Sequence, residues 1–170
     1  ALQTKAALEE LLGRVAEARD ALPRDGLVPI FLKVAPDLED GEVEAIVETV
    51  VGAGLSGIVV SNTTVSREGL ASANAGETGG LSGPPLMALS TRMLAAFAQA
   101  AAGRVALIGA GGIASGADAY AKIRAGAEAV QLYSAMVYEG PGLVTRVKRD
   151  LAARLRADGF ASVAQAVGAR

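Results

Sequence analysis

The sequence contains no cysteine and no histidine. The first absence excludes a disulfide framework and thiolate chemistry. The second removes the commonest general base and metal ligand, and with it His-based triads and zinc sites within this chain. No apolar run is long enough to cross a bilayer, although 51% of the 170 residues are hydrophobic, so the composition predicts a soluble, globular chain with a substantial core. Neither charge dominates: 16 basic residues stand against 18 acidic ones, a net charge of −2. The basic residues are dispersed, which disfavours nucleic acid as a partner. An initiator methionine is missing too. The chain opens on Ala1, and the segment after it carries both charge signs, unlike a signal peptide, so the reading is of a piece of a longer polypeptide.

What is present is a unit that recurs. From Lys5 to Leu22, the residues Leu8, Leu11, Leu12 and Val15 follow helical spacing, which predicts a helix burying one face and broken by Pro23 and Gly26. Pro29 to Ala35 (PIFLKVA) predicts a strand, with Val43, Ile46, Val47 and Val50 on a helix behind it. Gly57 to Ser61 repeats the strand, followed by a long polar loop and a helix carrying Leu94 and Phe97. Val105 to Ile108 and a helix from about Ser115 form the third unit. Ala129 to Tyr133 and a helix carrying Val144, Val147, Leu151 and Leu155 form the fourth. Strands apolar on both faces and alternating with helices imply a parallel sheet, (βα)4.

Two folds fit such a pattern, the open doubly wound sheet and the closed barrel. Each strand ends in polar or glycine residues: Lys33 with Asp37, Ser61 to Thr64, Gly109 to Gly112, and Tyr133-Ser134. Barrels carry their active sites on that face, and a complete barrel needs about eight units and roughly 250 residues. The prediction is therefore α/β, half of a TIM (β/α)8 barrel, with open edges that call for a missing partner half. A self-contained four-unit domain or a dimer of half-barrels is the alternative.

Three readings compete for Lys33, late in an apolar strand where an unpartnered ammonium is costly. It could be a Schiff-base lysine of an aldolase-like barrel, a cation supporting a phosphate or flavin, or a structural lysine paired with Asp37. Ser61-Asn62-Thr63-Thr64 offers hydrogen-bonding groups without charge, suited to a planar amide-containing ligand or to capping a turn. Gly109-Ala110-Gly111-Gly112 and Tyr133-Ser134 mark the two loops that hold phosphate in many barrels, where small side chains let backbone N–H groups approach an anion. A Rossmann reading is poorer: alanine replaces the last glycine of the fingerprint, and Gln131 to Ser134 occupies the place of the acidic residue. Between Thr64 and Pro84 a loop rich in glycine (Gly69, Gly76, Gly79, Gly80, Gly83) is long enough either to close over a ligand or to be a disordered insertion. Arg146, Lys148, Arg149, Arg154 and Arg156 interleave with Asp150 and Asp158, which favours a solvated helix face over a membrane surface.

In order, the motifs Phe31 to Asp37 (FLKVAPD), Val60 to Thr64 (VSNTT), Thr78 to Gly83 (TGGLSG), Ile108 to Ile113 (IGAGGI) and Val130 to Ser134 (VQLYS) resemble dihydroorotate dehydrogenases over essentially the whole chain. Thr78 to Gly83, followed by Pro85-Leu86 and Ser90-Thr91, and the ending Gly159 to Val163 are similar to the quinone-dependent class 2. Leu2-Gln3 resembles the end of the family's substrate loop.

The resemblance implies the C-terminal half of a single FMN-binding barrel domain that oxidises dihydroorotate to orotate in pyrimidine synthesis. By the same resemblance, Lys33 lies near the flavin ring and favours the charge that develops on it, and Ser61 also contacts the flavin. Gly83, Gly112, Tyr133 and Ser134 hold the ribityl phosphate, and Asn62 and Thr63 hydrogen-bond the pyrimidine. No metal is expected. The serine base and the helices that meet membrane quinone belong to the missing N-terminal half, so no catalytic base is expected here and the chain alone is expected to be inactive. The class implies a peripheral membrane protein, at the cytoplasmic face of the inner or plasma membrane in a bacterium. A Schiff-base aldolase using Lys33 and a non-catalytic half-barrel binding module are the competing functions.

Overall fold

The structure, a computed structural model, describes residues 5–23, 28–39 and 41–169. Gly26 and Leu2-Gln3 lie outside the described residues. Helix α1 (Lys5–Asp20) rests on α2 (Glu42–Gly52) and buries Leu8 and Leu12. Leu11 stays exposed, so the buried stripe is narrower than its spacing predicts. The strands β1 (Phe31–Val34), β2 (Gly57–Val60), β3 (Ala106–Ala110) and β4 (Ala129–Gln131) occupy the predicted apolar runs. Helices α3 (Leu86–Ala101), α4 (Gly116–Arg124), α5 (Ser134–Glu139), α6 (Gly142–Ala157) and α7 (Val163–Ala166) complete the described elements.

The strands pair in parallel, in the order β1-β2-β3-β4. A doubly wound sheet reverses its strand order at a switch point, whereas here every crossover steps the same way. Right-handed crossovers that all step one way deposit their helices on one face of the sheet. The fold is thus half of a (β/α)8 barrel, which decides between the two architectures left open by the sequence.

Residues in register share a face. Leu32, Ile58 and Leu107 are in register and face the helices, packing with Val34, Val60, Leu94 and Phe97 into the main core. Each fully buried side chain of this size stabilises the fold by about 1.5 to 3 kcal/mol relative to an exposed one. Lys33, Val59, Ile108 and Ala129 are in register on the opposite face, where Lys33 and Ala129 are exposed and Val59 is buried. A smaller cluster of Ile113, Ala119, Leu143 and Val147 packs α4 against α6. On α6, Leu143, Val147 and Leu155 are buried while Val144 is exposed and turns to the strand-end cleft instead of the predicted apolar stripe. The solvated side of α6 carries Arg146 on Glu139 at 2.8 Å and Arg154 on Asp150 at 3.1 Å, as the charge interleaving predicts.

Candidate functional site

Beyond the C-terminal ends of the strands, the connecting segments enclose an open cleft of about 980 Å³. That is the upper end of the roughly 300 to 1,000 Å³ typical of cofactor and ligand sites. Lys33, Ser61, Asn62, Thr63, Gly83, Gly112, Tyr133 and Ser134, all eight predicted from sequence, line it.

Lys33 is not buried. Its strand offers it to the helix-free face, where solvent reaches it, and it joins no ion pair among the described residues. Of the three readings of Lys33, the structural lysine paired with Asp37 is therefore set aside. The Asp37 carboxylate instead accepts the Thr64 hydroxyl and, at 3.2 Å, the Val65 N–H.

The end of β2 is knitted into its neighbours: Ser61 N–H donates to Ala110 at 3.2 Å and Asn62 N–H to Val34 at 2.7 Å. Ser61 is buried, and its hydroxyl donates to the Asn62 carbonyl at 2.9 Å. Asn62 and Thr63 line the cleft, and neither the carboxamide nor the hydroxyl makes a side-chain hydrogen bond among the described residues. Thr63 stands over Gly80, where an added Cβ would fall 1.9 Å from its Oγ1. The long glycine-rich loop is closed at its neck by paired backbone bonds between Thr64 and Leu81, at 3.1 and 2.7 Å. Within it, the Arg67 guanidinium donates to the carbonyls of Thr64, Val65, Ser66, Glu77 and Gly79. One cation thus organises both limbs of the loop. At its end Ser82 accepts a 2.9 Å bond from the Ser134 hydroxyl and so joins the loop to the segment after β4.

Gly111 and Gly112 follow β3 with φ of 95° and 80°. Both signs favour glycine, and space requires it as well. An added Cβ on Gly112 would lie 2.5 Å from Met87 Cα, and one on Gly111 would lie 2.9 Å from the Leu86 side chain. The turn is therefore pressed directly against the start of α3. Ser115 then caps α4, accepting the Asp118 N–H at 3.1 Å while its hydroxyl donates to the Asp118 carboxylate at 2.7 Å, a reciprocal arrangement that fixes where the turn ends.

The family model for dihydroorotate dehydrogenase matches residues 1–155. The chain belongs to the dihydroorotate dehydrogenase family. It is 57% identical to the dihydroorotate dehydrogenase (quinone) of Azorhizobium caulinodans and 56% identical to that of Xanthobacter autotrophicus, with 99% of this chain and 48% of each relative covered. The chain spans about half the length of these curated relatives and aligns with their C-terminal half. A ligand-free DHODH from Eimeria tenella superimposes with a TM-score of 0.93 at 37% identity, covering 98% of this chain and 51% of that one. The same organism's DHODH in complex with ferulenol gives a TM-score of 0.91.

Several residues in and behind this cleft were not singled out by the sequence. Arg67 and Ser82 sit in a loop without periodicity. Helix α5 starts at Ser134 without a side-chain cap, so nothing in the local sequence announced it. Lys122 is the exception that could have been found. It follows Ala119 by three positions and precedes Ile123, so helical spacing from the Ser115 cap already put it on the buried face. Its Nζ donates to the Ser90 hydroxyl at 2.6 Å. Burial pulls its pKa down from 10.5 to about 8, with Asp118 acting in the opposite direction.

Proposed function

We propose that this chain is the C-terminal half of a single FMN-binding barrel domain that oxidises dihydroorotate to orotate with a quinone as electron acceptor, a step of pyrimidine biosynthesis. The observation that carries the reading is one cleft, in a member of this family, combining a glycine turn with a lysine, an amide and a hydroxyl that have no side-chain partner among the described residues.

The residues present fit flavin mononucleotide. The Gly111-Gly112 turn has no side chains to obstruct backbone N–H groups from an anion, and Gly83 and Ser134 border the same end of the cleft. Lys33 and Ser61 lie on the cleft wall formed by β1 and β2 and are assigned to the flavin ring. FMN bound there supplies the two-electron acceptor for the hydride that leaves the substrate. Lys33, with no carboxylate partner among the described residues, provides fixed positive charge that stabilises negative charge developing beside it. Asn62 and Thr63 have unused hydrogen-bonding capacity and are assigned to orient the pyrimidine, whose amide edge matches a carboxamide and a hydroxyl. Tyr133 and Ser134 close the phosphate end.

As the substrate CH–CH bond becomes C=C, a hydride leaves one carbon and a proton the other. The proton needs a base, which we assign to the N-terminal half of the barrel, so this chain alone is inactive. The same half is assigned the contact with membrane quinone and hence a peripheral location on the cytoplasmic face of the membrane. Among the described residues no helix is long and apolar enough to cross a membrane.

The test is the absorption spectrum of the full-length protein, before and after dihydroorotate is added without air. Flavin bands that bleach support the reading, and bands that persist contradict the substrate. A flavin-free protein in which borohydride traps a carbonyl compound on Lys33 would replace it with the aldolase.

A further inference from the structure

Lys122 is the only buried charged side chain among the described residues. Its stem runs against β3 at Gly109, where an added Cβ would come within 3.1 Å of the Lys122 Cβ. Among the described residues its ammonium meets a hydroxyl and no carboxylate. Asp118, on the same helix, is committed to the α4 cap, with its carboxylate held by the Ser115 hydroxyl at 2.7 Å and the Ala114 N–H at 3.1 Å. None of the ion pairs among the described residues includes Lys122. A buried ammonium without a counter-charge is costly, so its position calls for an anion nearby.

Ser90 shows in which direction that anion lies. Its oxygen takes the lysine N–H, which leaves one hydroxyl proton and three carbonyl oxygens within reach: Leu86 at 2.8 Å, Gly111 at 3.1 Å and Met87 at 3.2 Å. These oxygens belong to the first turn of α3 and to the Gly111-Gly112 turn, the two segments pressed together at the phosphate end of the cleft. Ammonium, hydroxyl and glycine turn are therefore connected in series, from the interior outward.

We propose that Lys122 is a positioning residue that makes the cleft select a phosphorylated ligand. Through Ser90 it holds the Gly111-Gly112 turn in its anion-binding shape, and its buried positive charge is offset by the phosphate. The inference rests on the reading of the cleft as a flavin mononucleotide site and adds a basis for preferring the phosphorylated flavin to riboflavin.

The experiment compares FMN and riboflavin binding to the flavin-stripped full-length protein by quenching of flavin fluorescence. The variants are Lys122→Met, which removes the charge at similar volume, and Ser90→Ala, which cuts the relay and keeps the charge. In Lys122→Met the FMN-to-riboflavin affinity ratio is expected to fall about tenfold, the scale of two unit charges roughly 12 Å apart at an effective dielectric of about 20. Ser90→Ala is expected to lower it by a smaller factor. A purely structural lysine would weaken both flavins alike, and an unchanged ratio in folded variants overturns the proposal. If neither variant folds, lysine ¹³C NMR of the wild-type protein decides: FMN, but not riboflavin, should raise the titration midpoint of Lys122, and equal midpoints overturn it. Wild-type protein that binds neither flavin overturns the flavin reading and this inference together. Wild-type preference for FMN that survives both substitutions overturns this inference alone.

Discussion

Thr63 lines the cleft, and its hydroxyl, which makes no side-chain hydrogen bond among the described residues, is its atom nearest to Gly80. Replacing it with valine keeps the shape and removes the hydrogen bond. In the full-length protein Thr63→Val should weaken orotate binding by roughly 1 to 3 kcal/mol, the cost of leaving a buried polar group unpaired. Calorimetric titration measures it, and an unchanged affinity would remove Thr63 from the substrate site. Lys122 makes a different prediction. The unfolded chain holds this proton until about pH 10.5, whereas the folded protein releases it near pH 8. Between those values the unfolded state binds more protons, so the lysine's penalty on stability fades as pH rises through the window. The stability of wild type relative to Lys122→Met should rise across it by up to roughly 3 kcal/mol, since each pKa unit corresponds to about 1.4 kcal/mol. Urea unfolding at several pH values tests this, and a pH-independent difference contradicts it. At this scale the sequence was most informative where strand ends carried polar residues, as with Lys33, Asn62 and Ser134. It misled about the surroundings of Lys33, because a short apolar run does not reveal which face of a strand the helices will leave open.

The strands and long helices were legible because their apolar spacing reflects the core they build, as Val43, Ile46, Val47 and Val50 do on α2. The order of the strands was not legible, since βα periodicity is the same in a barrel and a doubly wound sheet. The loop from Val65 to Gly80 was legible only as an unusual length of chain. Its order comes from one guanidinium serving carbonyls up to twelve residues away, a tertiary arrangement without sequence periodicity. Arg67→Ala should therefore loosen this loop selectively. Hydrogen exchange is expected to accelerate between Val65 and Gly80 and to remain unchanged in β2 and β3. Uniform acceleration through the sheet would mean that Arg67 supports the fold as a whole.

At the scale of the whole molecule, β1 and β4 each have a single strand neighbour among the described residues, and the sheet face bearing Lys33 leaves Phe31 exposed. Unpaired edges beside exposed apolar groups favour association. Expressed alone, the chain should self-associate, and co-expression with the N-terminal half of its barrel should convert it into a soluble complex of one copy of each. Size-exclusion chromatography with light scattering measures both states. A stable, monodisperse monomer of the isolated chain would count against the two-half reading.

The sequential order β1-β2-β3-β4 also bears on how the chain assembles. Each strand docks on the one made just before it, so a growing polypeptide can extend the sheet as it leaves the ribosome, and no inner strand has to wait for a later one. Contacts that are close in sequence form quickly. In the completed barrel the exception is ring closure, where the last strand made must find the first across the whole length of the domain. That seam is the step at which synthesis can outrun folding, and a chaperone that shields a half-finished ring would act there.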